Sequence, residues 1–154
     1  MEDASFQIEI PCDNGGHVLF QCPQCGELFK VKPSDVEDDA ILHTYCPACG
    51  LTSDSFLTED VLKLAWAKAL NWTSEQIGKE LKSLAKKINS KSSLVSIQVK
   101  TSSHEEDEPT LMPAVEALVH STCAECDRTA MVSPLLAMSS HTCPFCGIGQ
   151  FNER

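Results

Sequence analysis

The chain has 154 residues, a formal charge of −10 and a 42 % hydrophobic content. That length suits one ordinary domain or two very small ones, and the acidic balance argues against a surface that binds phosphate indiscriminately. No run approaches the ~18 apolar residues of a membrane span, and Met1-Glu2-Asp3 with no apolar run behind it does not read as a secretory leader, so a soluble, cytoplasmic protein in a reducing compartment is expected.

In chain order, Ser5-Phe6-Gln7-Ile8-Glu9-Ile10 alternates as a half-buried strand does, and Asp13-Asn14-Gly15-Gly16 has the composition of a hairpin turn. His17 to Gln21 then leads into Cys22-Pro23-Gln24-Cys25. A second hook, Cys46-Pro47-Ala48-Cys49, follows after twenty residues, 26 to 45. Thr58 is placed to cap a helix whose Val61, Leu62, Ala65, Trp66, Ala69 and Leu70 share a face. Asn71-Trp72 reads as its end. Thr73-Ser74-Glu75-Gln76 has capping-box spacing, and Ile77, Leu81, Leu84 and Ile88 recur on one side of a second amphipathic helix. Asn89 to Ser93 reads as a linker, Val95 to Val99 as another alternating strand, and Ser102 to Pro109 as an acidic, mobile loop. Val115 to Thr122 leads into the third hook, Cys123-Ala124-Glu125-Cys126. The fourth, Cys143-Pro144-Phe145-Cys146, comes sixteen residues later, after 127 to 142.

Two cysteines three apart can grip one ion from a single tight turn. Two such turns supply four thiolates, the closed tetrahedral shell zinc prefers, with no position left for a reactive water. Cys22, Cys25, Cys46 and Cys49 are expected to hold one zinc ion, and Cys123, Cys126, Cys143 and Cys146 a second, each structural. A ribbon of thirty-odd residues buries too little apolar surface to fold unaided, and a structural zinc supplies roughly 10–16 kcal/mol near neutral pH. A disulfide framework fits less well, because the pairs sit so regularly at metal spacing. Four thiolates also suit a rubredoxin-type iron, but zinc is the expected metal.

The two halves repeat one plan. Val31 and Val132 each stand six residues beyond a hook, Pro33 and Pro134 eight beyond it, and His43-Thr44-Tyr45-Cys46 echoes His141-Thr142-Cys143. Cys22-Pro-Gln-Cys-Gly26, Cys46-Pro-Ala-Cys-Gly50 and Cys143-Pro-Phe-Cys-Gly147 resemble the knuckles of the zinc-ribbon (rubredoxin-like) superfamily. In such a knuckle proline fixes the turn, and the glycine takes a positive φ so that backbone N–H groups point at the thiolates. Cys123-Ala-Glu-Cys-Asp127 departs from the pattern, lacking both residues, and is expected to be the weakest knuckle, although Asp tolerates a left-handed turn better than most residues.

The expected fold is small α+β: a first zinc ribbon over 1–57, a helical hairpin over 58–92 and a second ribbon over 93–154. Cys46→Ser is then expected to unfold the first ribbon alone. Cys12 has no partner in the pattern and reads as a free, partly buried thiol, with His17 nearby only in sequence. His43, His120 and His141, close before hooks, read as structural or solvent-exposed histidines, with N–H donation to a metal thiolate as the alternative. No nucleophile elbow, phosphate loop or paired-carboxylate signature is present, so no enzymatic activity is expected. The expected function is a zinc-binding adaptor that presents a surface to another protein, with Trp66 and Trp72 as first contacts to test. The competing reading is a nucleic-acid-binding, transcription- or RNA-associated protein. It rests on residues 61–100, which carry a local charge of +6 from eight lysines and two glutamates. There Lys79, Lys82, Lys86 and Lys87 would track phosphate, although this segment has no arginine to read guanine edges.

Overall fold

The computed structural model describes residues 5, 7–91, 98–100, 105–112 and 117–151. Its elements are β1 (Val18–Gln21), β2 (Leu28–Val31), α1 (Pro33–Val36), α2 (Glu59–Lys91), β3 (Val119–Thr122), β4 (Thr129–Val132), α3 (Pro134–Met138), β5 (Ser140–Thr142) and β6 (Gly149–Phe151). They fall into two compact units, 9–61 with 111–154 and 1–8 with 62–110.

The first unit contains all eight hook cysteines. β1 and β2 form an antiparallel hairpin with Val18 opposite Val31 and Gln21 opposite Leu28, and the first hook turns the chain at its tip. β3 and β4 repeat this, with Val119 opposite Val132 and Thr122 opposite Thr129. The hairpins join through β2 and β4 into one sheet of order β1-β2-β4-β3. The joining pair is Lys30 with Met131, and these residues hold the same place in the two halves, each one before the repeated valine. An antiparallel pair of equivalent residues places a local two-fold axis between them, the self-complementary contact of a symmetric dimer written within one chain.

The same relation governs the rest of the unit. Tyr45 N–H donates to the Pro144 carbonyl and Thr142 N–H to the Pro47 carbonyl, both at 2.9 Å. Each residue before a second hook thus bonds the proline inside the other half's hook. Thr142 pairs with Gly149 in the β5–β6 ribbon, and Tyr45 with Thr52 at the matching place. The duplication inferred from residue spacing therefore has a geometric counterpart.

One core serves both halves. Cys22, Phe29, Val31, Cys46, Phe56, Cys123, Ala130, Cys143 and Phe145 form a single buried cluster, and Val31 and Val132 beside the axis are wholly buried. Phe29 meets Phe20 and Phe56 edge-on, with ring centroids 5.7 and 5.5 Å apart. The Phe56 carbonyl accepts from Gln21 N–H on the outer edge of β1. The expected turn at Asp13 forms, with Gly16 N–H donating to the Asp13 carbonyl at 2.9 Å. The Asp13 carboxylate accepts from the N–H groups of Gly15 and His17 at 2.9 Å, so the side chain closes the turn as an Asx motif. Among the described residues no strand precedes it: residues 5 and 7–10 are not in a ladder, and Phe6 lies outside the described residues. Of the strand expected at 95–99, residues 95–97 lie outside the described set, and 98–99 carry none.

The helical hairpin is replaced by one continuous helix. α2 runs 33 residues from Glu59 to Lys91, about 50 Å at 1.5 Å per residue. Asn71 does not end it. Its side-chain amide donates to the Glu106 carbonyl at 3.0 Å and its oxygen accepts from Glu106 N–H at 2.8 Å. Thr73 does not cap a new helix either, because its hydroxyl donates back to the Ala69 carbonyl at 2.8 Å, the in-helix alternative to capping. With neither Gly nor Pro between 59 and 77, nothing compels a break. The acidic stretch expected to be mobile is tethered where it is described: Glu108 meets Asn71 Nδ2 at 3.2 Å and Lys68 Nζ at 3.4 Å.

Candidate metal centres

Each hook is built by the same two backbone bonds. Cys22 N–H donates to Glu27 O and Gly26 N–H to Cys22 O; Cys46 with Leu51 and Gly50, Cys123 with Arg128 and Asp127, and Cys143 with Ile148 and Gly147 repeat this at 2.9–3.0 Å. The fifth residue of each turn lies in the left-handed region: φ is +76° at Gly26, +71° at Gly50, +73° at Gly147 and +56° at Asp127. Asp127 therefore accepts the backbone that glycine supplies elsewhere, at the cost of a Cβ in that region.

The hooks bring the sulfurs together in two sets. Cys22, Cys25, Cys46 and Cys49 form one and Cys123, Cys126, Cys143 and Cys146 the other, with the four Sγ atoms of each within 4.8 Å of one another. The Cys22–Cys49 and Cys25–Cys46 sulfurs lie 3.8 and 3.5 Å apart. Cys123–Cys146 and Cys126–Cys143 are at 3.6 and 3.7 Å. Four ligands about 2.3 Å from a tetrahedral ion have edges of about 3.8 Å, so both cages have the size of a metal–thiolate shell. In each, the first cysteine of both hooks is buried and the second lies nearer solvent.

The electrostatics suit anionic sulfur on the inner side of the first hook in each half. Burial opposes ionisation of Cys22, but the N–H groups of Cys25 and Gln24 outweigh it and bring the thiol down to about 7. Cys123 is likewise lowered: burial acts against it, and the N–H groups of Cys126 and Glu125 prevail. Cys46 and Cys143 are raised, chiefly by their deeper burial, and Cys25 and Cys126 are raised by burial too. Four sulfurs this close cannot all ionise without a cation among them, so metal entry must expel protons.

The other nominated residues lie outside the cages. Cys12 is exposed and not partly buried: residues 7–12 run outside any ladder. His17 is buried 3.5 Å from an Asp13 carboxylate oxygen, a contact beyond hydrogen-bond range. Its ring meets that of His120 edge-on at 5.5 Å. His43 is exposed, and His141 Nε2 shares a 2.8 Å hydrogen bond with Ser121 Oγ. Among the described residues none of these histidines bonds a cysteine sulfur, and the groups that donate to the sulfurs are the backbone N–H groups of the hooks. Lys79, Lys82, Lys86 and Lys87 are exposed on α2, and Lys79 is paired with Glu75 at 2.6 Å. What residue spacing did not reveal is the reciprocal bonding of Tyr45 to Pro144 and Thr142 to Pro47. It depends on a long-range two-fold arrangement that no local pattern encodes.

Comparison with protein-family models, with curated proteins and with solved structures returns no match. Two four-cysteine clusters positioned to bind metal, in a zinc-ribbon-like arrangement, are what the chain itself displays. No helix among the described residues is long and apolar enough to cross a membrane.

Proposed function

We propose that this protein is a non-catalytic adaptor that binds two zinc ions and presents an interaction surface to another protein. The observation that carries the proposal is on α2. Leu62, Trp66, Leu70, Ile77, Leu81, Leu84 and Ile88 are all exposed, and at 100° per residue they fall on one side of the helix. Trp66 has 69 % of its surface in solvent. An apolar row of that length, left open beside the helix's buried Leu64, Ala67 and Ala85, marks a contact surface. The cages support the non-catalytic half of the reading. Four sulfurs complete the shell of zinc, so a bound ion would have no site for substrate or reactive water.

The test compares the zinc-loaded full chain with Trp66→Glu as bait in affinity purification. A specific protein retained by the first and lost from the second, at equal helicity and metal content, supports the adaptor. Electrophoretic retardation of nucleic-acid probes in low salt, abolished when Lys79, Lys82, Lys86 and Lys87 become Glu, would instead establish the nucleic-acid reading.

A further inference from the structure

The C-terminal part of the exposed row has a finer pattern. Ile77, Leu81, Leu84 and Ile88 are separated by four, three and four residues, the spacing of alternating d and a positions in a coiled-coil seam. They are 42 to 53 % exposed, and the helix that carries them is formed, so no nucleation cost stands against pairing. On one side of this seam, at the e positions, lie Gly78 and Ala85, both already covered within the chain. On the other side, at the g positions, lie Glu80 and Lys87, both exposed. Neither has an ion-pair partner among the described residues that would hold it away from the seam.

We infer that this seam docks a second copy of the same chain, antiparallel, with α2 against α2. In that orientation a positions face d positions. Ile77 meets the partner's Ile88 and Leu81 meets the partner's Leu84, and the two-fold repeats both contacts, so all four residues find an apolar mate with none left over. The same placement brings Glu80 beside the partner's Lys87, and Lys87 beside the partner's Glu80, on the open side. A parallel pair gives neither contact: Glu80 would face the partner's Ala85, and no ion pair would form. Charge complementarity therefore selects a self-partner and sets its direction. Four side chains per copy bury less than the roughly 800 Å² per partner of a standard interface, so the dimer is a reversible, concentration-dependent one. Leu70 and Trp66, about two and three turns before Ile77, stay free for a different protein.

This rests on α2 as the contact surface proposed above but fails separately from it. Sedimentation equilibrium on the zinc-loaded full chain should show a monomer–dimer equilibrium, and Leu81→Glu with Leu84→Glu should shift it to monomer at unchanged helicity and metal content. Glu80→Lys alone, and Lys87→Glu alone, should each weaken the dimer roughly tenfold, since each turns two opposite-charge contacts into like-charge ones. The double variant Glu80→Lys with Lys87→Glu should restore it. A wild-type chain that stays monomeric at the highest attainable concentration overturns the inference and leaves the Trp66 experiment standing. A dimer indifferent to both single charge changes overturns the antiparallel arrangement.

Discussion

Gly147 and Gly26 share a left-handed backbone but differ in surroundings. A Cβ at Gly147 would lie 2.9 Å from the Tyr45 ring, whereas one at Gly26 would meet nothing within 4 Å. Alanine at Gly26 should cost the roughly 1–2 kcal/mol of placing a side chain at positive φ. Alanine at Gly147 should cost that and a further ~1–3 kcal/mol for overpacking, read as a larger fall in chemical-denaturation midpoint for the zinc-loaded protein. Asp127→Gly should raise the midpoint slightly, by under about 1 kcal/mol, because the gain in φ is offset by a looser unfolded chain.

A second residue-scale prediction concerns Lys30, which is buried on the central strand with its ammonium 3.0 Å from the Asp13 carboxylate. Its counterpart across the two-fold is Met131. Asp13→Ala removes a charge-assisted contact to this buried ammonium together with the acceptor that closes the turn, and should cost roughly 1.5–3 kcal/mol; adding Lys30→Met should recover only the part that belongs to the ion pair. The Asp13 carboxyl is held well below the usual carboxylate range, mainly by N–H donation from His17, with Lys30 adding to it against the opposing effect of burial. Its contribution is therefore complete above the ordinary carboxylate pKa and lost as pH falls through the depressed one. In a urea series, the gap between wild type and Asp13→Asn should persist at neutral pH and close in strong acid.

At the scale of elements, local turn chemistry foretold more than helix punctuation did. Three hooks form where Pro and Gly stand, the fourth forms with Asp127 in the glycine's place, and the Asp13 carboxylate closes its own turn, because each of these residues sets φ or hydrogen bonds within a few positions. β1 lies in the His17–Gln21 lead into the first hook, but it pairs with β2 across that hook rather than across the Asp13 turn. The break at Asn71-Trp72 was not real. Asn, Thr and Ser carry the same donors and acceptors whether they cap a helix or bond elsewhere, and here Asn71 finds Glu106 and Thr73 finds Ala69. A proline at Ser74 distinguishes the alternatives. It would sit at the tolerant first position of a second helix, but in the interior of α2 it should cost about 3 kcal/mol or more, seen as lost ellipticity and a lowered Tm.

At the scale of the molecule, the cage ligands were readable because metal spacing is local, while the relation between the cages was not. Val31 and Val132 looked like repeats of a plan, yet only the Lys30–Met131 pairing shows them flanking one axis. Two ribbons that share Cys22, Cys46, Cys123 and Cys143 in one buried cluster should not fail separately. Cys46→Ser is expected to abolish both sites, leaving metal content nearer none than one ion per chain, and the dispersed amide spectrum of both halves should collapse together. A variant that kept one intact site would show that the modules are energetically independent.

Metal analysis of protein purified without chelator, paired with a thiol count on the folded chain, tests the assignment of the eight cysteines most directly. Two zinc ions per chain with only Cys12 freely reactive is the expected result, the other eight thiols appearing once acid or chelator releases the metal. A folded chain with no metal, or with those sulfurs joined as disulfides, would contradict it.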